Sequence, residues 1–265
     1  MMSFWPKKGR WLLPLLLVFF FISCTTAPIT ERKQLILIPK SEEITLGLQA
    51  YKQILKKAKL CHDPKVVHLV NKVGWRIAKA ADRPDFAWEF KVIKDDKTAN
   101  AFCLPGGKVF VYTGILPYTK DEAGLATVIS HEVGHVIARH GAERMSTLLL
   151  IELGEAGLAA ALKKHSPTVA KAFLIAYGLG AELGILLPYS RLQEYEADHI
   201  GLILMAKAGY DPKAAIAFWE RMLKRKKKGH IPEFLSTHPA DEKRIAALKQ
   251  LLPEAMQYYH PKIGQ

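Results

Sequence analysis

The residues best suited to chemistry in this chain of 265 residues are the histidines and the glutamate of the segment His131-Glu132-Val133-Gly134-His135. Residues four positions apart lie on one face of an α-helix, so both imidazoles can reach a single metal ion. Glu132 stands beside the first histidine, where it can deprotonate a water molecule on that metal. The HExxH spacing therefore predicts the centre of a zinc peptidase, with His131 and His135 as zinc ligands and Glu132 as the general base.

Two histidines leave a zinc ion short of protein ligands, and an acidic segment later in the chain supplies the candidates. Glu194 and Asp198 share one face of a predicted helix, whereas Glu196 points about 200° away from Glu194. One of the pair should bind the metal, and the other should accept the free ring N–H of a ligand histidine. Glu194 is the expected ligand. The apolar stretch 200–206 that follows predicts a buried helix, in which a carboxylate needs a partner such as a metal.

The elements that position these residues alternate between helical and extended patterns. The pattern predicts three short strands, over residues 87–93, 100–104 and 108–112. It predicts helices over residues 41–59, 64–81, 119–141, 190–208, 212–228 and 240–251. Ser41 is the expected N-cap of the first helix, and capping boxes at 119–122 and 190–193 begin the two helices that carry the site. We therefore expect a predominantly helical α+β fold with a small mixed β-sheet packed on the HExxH helix. The acidic pair on a separate helix is the plan of zincin-like, gluzincin-type enzymes.

The N-terminal residues predict export and lipid attachment. Three basic residues within the first ten precede an apolar run, 11–22, that is too short for a spanning helix, and Ser23-Cys24 follows it. A small residue before a cysteine at the end of such a run is typical of bacterial lipoproteins. We therefore expect a lipoprotein signal peptide over residues 1–23, lipid on Cys24, and a single metallopeptidase domain over residues 24–265. An uncleaved N-terminal anchor is the alternative, and both place the domain in an extracytoplasmic space.

The charge of the chain indicates which surfaces it can approach. The formal net charge is +13 at pH 7, and an excess of that size favours anionic surfaces such as lipid headgroups. Thr25 after the cysteine resembles lipoproteins sent to the outer membrane, so we expect the domain on the periplasmic side of the cell envelope. No zinc-finger, helix-turn-helix or aromatic RNA-binding signature occurs in the sequence, so we expect no nucleic-acid partner. The densest basic cluster, 221–228, is interpreted as a solvated helix end.

A long apolar segment, 147–187, contains few charges. It is interpreted as helices that either pack in the core or touch the membrane, and 168–187 is the part best suited to membrane contact. Lys171 and Glu182 interrupt that part, and its length is at the lower limit for a span. Core packing or membrane contact is therefore favoured over a crossing helix.

Two further cysteines, Cys61 and Cys103, could form a disulfide in an oxidising compartment. The sequence does not establish that they lie close together, so a bond and two free thiols both stay open. Neither cysteine lies in a metal-ligand spacing.

Several segments together resemble a known enzyme family. HEVGHVIARHGAERMS, SRLQEYEAD and STHPADEKR are similar to the three helical motifs of the CAAX-prenyl-protease-type zinc metallopeptidases, in particular their HtpX/BepA-like bacterial members. NAFCLPGG followed by VYTG matches the strand segment before the metal-binding helix of that family. Cys24 followed by TERKQL resembles its lipoprotein subgroup. The resemblance covers most of residues 24–250.

The resemblance implies a set of site residues for one Zn²⁺ ion per chain. It implies that His131, His135 and Glu194 are the three zinc ligands. It also implies that Glu132 is the general base and that Asp198 is a supporting carboxylate. It also implies that His238, in the sequence Thr-His-Pro, lies over the zinc and either blocks the water site or stabilises the transition state. The alternative for His238 is a histidine on a surface loop.

The resemblance further implies a zinc-dependent endopeptidase that is anchored by lipid at the bacterial cell envelope. It would hydrolyse unfolded or misassembled envelope proteins in protein quality control. An extended substrate could join the strand at 100–104, or the one from Val109, by β-augmentation. Two alternatives stay open. One is a lipid-anchored assembly or chaperone factor for outer-membrane proteins with a gated or mainly structural zinc site, and the other is an enzyme embedded in the membrane through 168–187.

Overall fold

The computed structural model describes residues 24–163, 166–179, 189–227 and 232–260, so the expected signal peptide lies outside the described residues. The strands are β1 (Cys24–Thr26), β2 (Lys33–Leu35), β3 (Glu89–Ile93), β4 (Ala101–Leu104) and β5 (Lys108–Tyr112). The helices are α1 (Lys40–Lys57), α2 (Pro64–Ala81), α3 (Leu116–Thr119), α4 (Glu122–Ile137), α5 (His140–Lys163), α6 (Pro167–Ala176), α7 (Arg191–Lys207), α8 (Lys213–Lys227), α9 (Phe234–Thr237) and α10 (Glu242–Met256). The fold is α+β and predominantly helical, which confirms the expected class.

Three of the strands form a mixed sheet in the order β3-β5-β4, with β3 parallel and β4 antiparallel to β5. Alternate side chains of each strand face opposite sides of the sheet. Val109 and Val111 join a core shared with α2, α4 and α7, whereas Phe110 joins a second core with α1, α5 and α6. β4 lies against α4, so the sheet supports the HExxH helix as expected. β5 is the central strand, so the expectation that the strand from Val109 could be an edge is wrong.

Helix caps decide where the helices that carry the site begin. α4 begins after Asp121, whose carboxylate accepts a hydrogen bond from the main chain. Thr119 instead ends α3, so the first expected capping box is wrong. The capping box formed by Ser190 and Gln193 at the start of α7 is confirmed, and both of its hydrogen bonds are 3.2 Å long. Ser41 lies inside the first turn of α1 rather than at its cap, because the N-cap is Pro39, two residues earlier than expected.

α4 also ends earlier than expected, because the chain turns sharply at Arg139. This residue has a left-handed φ of 58°, and α5 begins directly after it at His140. The left-handed conformation costs about 1–2 kcal/mol in a residue with a Cβ atom. The Arg139 side chain offsets this cost, since its Nε donates a 2.7 Å hydrogen bond to the buried Glu43 and its Nη2 donates to the Ile38 carbonyl. The turn places His140 directly behind the HExxH motif.

The structure contains an N-terminal hairpin that the sequence pattern did not predict. β1 and β2 pair in antiparallel fashion, and each has three residues, which is too short to show an alternating pattern. Two residues of the connecting loop, Ile29 and Glu31, are left-handed, with φ values of 72° and 53°. The loop directs Thr30 and Arg32 towards α7, where both contact Glu196.

The apolar segment 147–187 forms most of α5 and all of α6, and 180–187 lies outside the described residues. Val169 and Phe173 of α6 pack in the second core with side chains of α1 and α5. Within the described ranges, no helix is both long and apolar enough to cross a membrane. Part of the segment therefore packs in the core, whereas Ile151 is 78% exposed, and membrane contact by 168–187 stays a prediction.

Cys61 and Cys103 are both free. Cys103 is buried in β4, whereas Cys61 is partly exposed in the connection between α1 and α2. Of the two possibilities that the sequence left open, the structure has the free thiols rather than the disulfide.

Candidate metal centre

Two glycines allow α4 and α7, the helices that carry the expected ligands, to lie in close contact. A Cβ atom on Gly134, inside the HExxH motif, would lie 2.7 Å from the Ala197 carbonyl oxygen. A Cβ atom on Gly201 would lie 3.2 Å from the His131 nitrogen. Both distances are shorter than an ordinary contact of about 3.5–4.0 Å, so larger residues would push the helices apart. This contact brings the acids of α7 next to the histidines of α4.

Four buried side chains converge at this contact, namely His131, His135, Glu194 and His238. Their candidate ligand atoms all lie within 4.8 Å of one another. His131 Nε2 is 3.1 Å from His135 Nε2 and 3.2 Å from His238 Nδ1. Glu194 Oε1 is 3.3 Å from His135 Nε2 and 2.9 Å from His238 Nδ1. The structure thus brings the three expected ligands together with the histidine that the resemblance places over the metal.

The donor atoms have the spacing and the chemistry that zinc requires. Tetrahedral zinc holds nitrogen and oxygen ligands at about 2.0–2.2 Å, which separates the ligand atoms by about 3.4 Å. Five separations within the group lie between 2.9 and 3.5 Å, close to that spacing, and all four ligand atoms lie within 4.8 Å of one another. Glu194 Oε2 is buried and has no aligned hydrogen-bond donor among the described residues. Imidazole nitrogens and a carboxylate suit zinc, so the residues fit this metal.

Burial and neighbouring charges set the protonation of the expected ligands. Burial lowers the pKa of His131 and holds that of His135 well below its usual value, so both rings are neutral, as metal ligands must be. Burial alone would raise the pKa of Glu194, but the charges of Arg244 and His238 hold it well below its usual value. Glu194 is therefore ionised at neutral pH.

Glu132, the expected general base, is buried beside these residues. Its Oε1 lies 3.3 Å from His238 Nε2, and in the described part of the chain this oxygen has no aligned hydrogen-bond donor. Burial raises the pKa of Glu132 to about 7. A carboxyl group with a pKa near neutrality can both take up and release a proton at physiological pH.

His238 follows α9 and is buried, so the alternative of a surface-loop histidine is wrong. Its main-chain N–H donates a 2.9 Å hydrogen bond to the Phe234 carbonyl. Burial alone would lower the pKa of His238, but the carboxylates of Glu132 and Glu194 raise it above its usual value. The ring lies within the ligand set, with Nδ1 facing Glu194 and Nε2 facing Glu132.

Asp198 lies behind His131, where the sequence predicted a supporting carboxylate. Its Oδ1 is 2.9 Å from His131 Nδ1, and both side chains are buried. Burial would raise the pKa of Asp198, but Arg244 outweighs burial and lowers it. An ionised Asp198 accepts the Nδ1 proton of His131, which leaves the Nε2 lone pair of this ring for a metal.

Sequence reasoning missed Arg244 of α10, which lies across from the acids of α7. Its Nε and Nη2 donate hydrogen bonds of 2.6 and 2.8 Å to Asp198. Its Nη1 lies 2.5 Å from Glu194 Oε2 in an ion pair that lacks hydrogen-bond alignment. The guanidinium also stacks over Trp219, at 3.5 Å from the ring centroid. A signal existed in the sequence, because Arg244 shares one helical face with the apolar Leu248.

Sequence reasoning also missed the residues behind His135. His140 Nδ1 lies 2.8 Å from His135 Nδ1, and His140 Nε2 lies 2.8 Å from Glu196 Oε2. Glu196 faces away from Glu194, as the helical spacing predicted, and it is buried against His140. The Tyr189 ring stacks on His135 with a centroid separation of 3.9 Å. No spacing within one helix could have indicated these contacts, since they join α4, α5 and α7.

Comparisons with known proteins give one family and several relatives. The sequence profile of Peptidase family M48 matches residues 65–252. The mitochondrial metalloendopeptidase OMA1 of Schizosaccharomyces pombe is 38% identical over 258 residues, which cover 94% of this chain and 74% of that protein. OMA1 of Saccharomyces cerevisiae is 32% identical over 261 residues, covering 91% of this chain and 73% of that protein. The beta-barrel assembly-enhancing protease of Escherichia coli is 31% identical over 210 residues, covering 77% of this chain and 42% of that protein.

Proposed function

This chain belongs to peptidase family M48 and is a metallopeptidase, and we propose that it is a zinc-dependent endopeptidase anchored by lipid at the bacterial cell envelope. Its proposed substrates are unfolded or misassembled envelope proteins, so its role is protein quality control. The observation that carries the proposal is the convergence of His131, His135 and Glu194 at one buried point beside Glu132.

We assign His131, His135 and Glu194 as the residues that hold Zn²⁺, and Asp198 as the carboxylate that orients His131. Zinc bound there would supply a Lewis acid for the scissile carbonyl and would acidify the attacking water. Glu132 takes the proton of this water and then delivers it to the leaving amine, as general base and then as general acid. Its buried position beside the ligand set suits both steps, because one group must first accept and then release the proton.

The position of His238 favours a resting site that is closed. Its Nδ1 lies 3.2 Å from His131 Nε2 and 2.9 Å from Glu194 Oε1, so the ring fills the place in the ligand set that the attacking water needs. We propose that His238 blocks this place at rest and moves away when substrate binds. Transition-state stabilisation by His238 is the alternative, and the two roles predict opposite effects of removing the ring.

β4 is the strand best placed to bind substrate. It is an edge strand of its sheet, and it lies against α4. In an antiparallel pair of strands, alternate residues bond to the neighbouring strand, so the main-chain N–H and C=O of Cys103 point away from β5. An extended chain that adds to this edge binds through its main chain, with little dependence on particular side chains. It must also be unfolded over the bound stretch. This mode of binding therefore suits unfolded or misassembled proteins.

The proposed setting rests on the residues around Cys24. The basic and apolar residues before this cysteine favour a bacterial lipoprotein on the periplasmic side of the envelope, at the outer membrane. The Escherichia coli relative is named for β-barrel assembly, whereas the two yeast relatives are named as mitochondrial enzymes. Residues 168–187 would add a second membrane contact.

A second candidate function is a lipid-anchored assembly or chaperone factor for outer-membrane proteins, with a gated or mainly structural zinc site. The ring of His238 within the ligand set favours it, as does the name of the Escherichia coli relative. Glu132 speaks against it, because a structural zinc site has no use for a general base.

A comparison of two forms of one substrate tests the proposed activity. The zinc-loaded full chain is incubated with native ribonuclease A and with the same protein reduced and alkylated. We expect cleavage of the unfolded form alone, loss of cleavage with a chelator, and recovery when zinc is restored. Cleavage of both forms would contradict the preference for unfolded chains. Cleavage of neither would favour the assembly factor.

The lipid anchor is tested separately. Labelling with radioactive palmitate in a bacterial host should mark the wild-type chain and leave the Cys24→Ser variant unlabelled. Equal labelling of the two, or none in either, would contradict attachment at Cys24.

A further inference from the structure

The expected ligand His135 rests on a chain of buried polar groups that the proposed mechanism does not use. Its Nδ1 lies 2.8 Å from His140 Nδ1, and His140 Nε2 lies 2.8 Å from Glu196 Oε2. Glu196 in turn accepts hydrogen bonds from the Thr30 hydroxyl and, at 2.7 Å, from Arg32 Nε. The chain of contacts therefore runs from the metal centre to the loop between β1 and β2.

The carboxylate of Glu196 fixes the direction of every hydrogen bond in this chain. An ionised carboxylate can only accept, so the proton between Glu196 and His140 is on His140 Nε2. His140 is fully buried, which disfavours a charged ring, and a neutral ring with its proton on Nε2 has a lone pair on Nδ1. His135 must then donate from its own Nδ1. Its Nε2 is left without a proton and faces His131 Nε2 at 3.1 Å, within the ligand set.

Residues of the hairpin loop keep Glu196 ionised. The Glu196 carboxylate accepts hydrogen bonds from the Thr30 hydroxyl and from the Arg32 guanidinium, whose positive charge favours the ionised form of this carboxylate. Arg32 is itself held by Glu143, which accepts hydrogen bonds of 2.7 and 2.8 Å from Nη1 and Nη2. The direction of the hydrogen bonds from His135 outward therefore depends on contacts from the N-terminal hairpin.

We propose that His140 and Glu196 are positioning residues that hold His135 in the tautomer able to bind zinc, and that Arg32 holds Glu196 in place. This proposal rests on the zinc site assigned above. Neither His140 nor Glu196 touches the reacting atoms, so both act through His135.

Each of the two ligand histidines is then held by a carboxylate of α7. His131 faces Asp198 directly, whereas His135 reaches its carboxylate through His140. Carboxylates behind ligand histidines fix the ring orientation and the tautomer in metal sites generally. The arrangement also connects the metal centre to the hairpin that begins at Cys24, the proposed site of lipid attachment.

The variant Glu196→Gln tests this chain of hydrogen bonds, because an amide can donate as well as accept. With an amide at this position, His140 can carry its proton on either nitrogen, and His135 is no longer restricted to donating from Nδ1. The affinity of the full chain for zinc, measured by competition with a chromogenic chelator, should fall about 10–100-fold. The visible absorption spectrum of the cobalt-substituted protein should change as well, since it reports the geometry around the metal.

Glu254→Gln is the matched control. It removes a carboxylate from another histidine, His199 of α7, whose Nε2 lies 2.8 Å from Glu254 Oε2, and it leaves the hydrogen bond between His140 and Glu196 intact. We expect a zinc affinity and a cobalt spectrum close to those of the wild type. If the loss of any carboxylate–histidine hydrogen bond on α7 disturbed the metal centre through stability alone, the two variants would behave alike.

Each result decides a different point. If Glu196→Gln binds zinc as tightly as the wild type, or if both variants weaken equally, the positioning role is overturned. A wild-type chain that binds no zinc would overturn the zinc site itself. If circular dichroism shows that Glu196→Gln does not fold, Arg32→Gln replaces it. The Arg32 side chain is 17% exposed and contacts Glu196 from the hairpin loop, outside the helices that carry the ligands. A smaller loss of zinc affinity is then expected, and an unchanged affinity would contradict the proposal.

Discussion

Arg244 holds Asp198 at two points, with Nε 2.6 Å from Oδ2 and Nη2 2.8 Å from Oδ1, and both side chains are buried. The same guanidinium lies against Glu194, so one cation serves two carboxylates of α7. Two buried carboxylates repel each other and resist ionisation when no cation is near. The ionised state of Asp198 and Glu194 therefore depends on Arg244.

We expect Arg244→Met to destabilise the zinc-free protein strongly. The variant leaves Asp198 and Glu194 without their cation, and removal of one partner from a buried ion pair costs about 3–5 kcal/mol. Urea unfolding followed by circular dichroism measures the loss. Arg191→Met is the matched control, because its ion pair with Asp241 is 3.6 Å long and its side chain is 71% exposed. The control should lose less than about 1 kcal/mol, and equal losses would contradict this account.

We expect His238→Ala to raise the basal rate of peptide hydrolysis, because the ring fills a place in the ligand set. If the ring occupies that place for about nine-tenths of the time, its removal raises the rate about tenfold. The measurement is the steady-state cleavage of an internally quenched peptide at saturating zinc, with zinc content checked for both proteins. A lower kcat in the variant would mean that His238 stabilises the transition state instead.

The raised pKa of Glu132 makes the stability of the zinc-free protein depend on pH. The pKa rises from 4.5 as the reference for an unfolded chain to about 7 in the folded protein. The folded state therefore binds this proton more tightly than the unfolded state does. The stabilisation that results is fully present below pH 4.5 and is lost as the pH rises through about 7. It amounts to about 3 kcal/mol.

Glu132→Gln isolates this effect, because the amide does not titrate. The free energy of unfolding of the zinc-free variant, minus that of the zinc-free wild type, should increase by up to about 3 kcal/mol between roughly pH 4 and pH 8. Taking the difference removes the contribution of groups that titrate in both proteins, such as Glu196. A difference that is independent of pH would show that Glu132 does not titrate in this interval.

We expect Gly134→Ala to weaken zinc binding by changing the distance between two helices. The added Cβ atom would lie 2.7 Å from the Ala197 carbonyl oxygen, so α7 must move and take Glu194 away from the histidines. Overpacking of this kind costs about 1–3 kcal/mol of stability. Gly157→Ala in α5 is the control, because its Cβ atom would lie 3.0 Å from Leu153 Cβ of the same helix rather than against α7. Chelator competition should show weaker zinc binding for Gly134→Ala alone, and an unchanged affinity would contradict the role of this contact.

The parts of the site that depend on spacing within one helix could be predicted from the sequence. His131 and His135 are one turn apart on α4, and Glu194 and Asp198 are one turn apart on α7, so each pair shares a face whatever the rest of the chain does. The mixed sheet and most of the helices follow from hydrophobic periodicity for the same reason. Which face of its own helix or strand a residue occupies depends only on the neighbouring residues, so it can be predicted from a single sequence.

The remaining contacts arise from packing between distant elements and could not be predicted in this way. Arg244 reaches Asp198 because α10 packs on α7, and the role of His140 depends on the left-handed turn at Arg139. Arg32 belongs to a hairpin whose strands have only three residues each, too few to show a pattern. The place of His238 came from the family resemblance rather than from spacing.

The most direct test of the central claim is the cleavage of casein by the zinc-loaded full chain, with the wild type beside Glu132→Gln. Both proteins are first shown to bind one zinc ion per chain, and the pair is repeated with His238→Ala in each to keep the site open. Cleavage by the variant should be at least about 100-fold slower, since a general base contributes about 10²–10⁴-fold to the rate. Equal cleavage by the wild type and Glu132→Gln would mean that the hydrolysis uses another base or another site, and the assignment of this metal centre as the active site would be wrong.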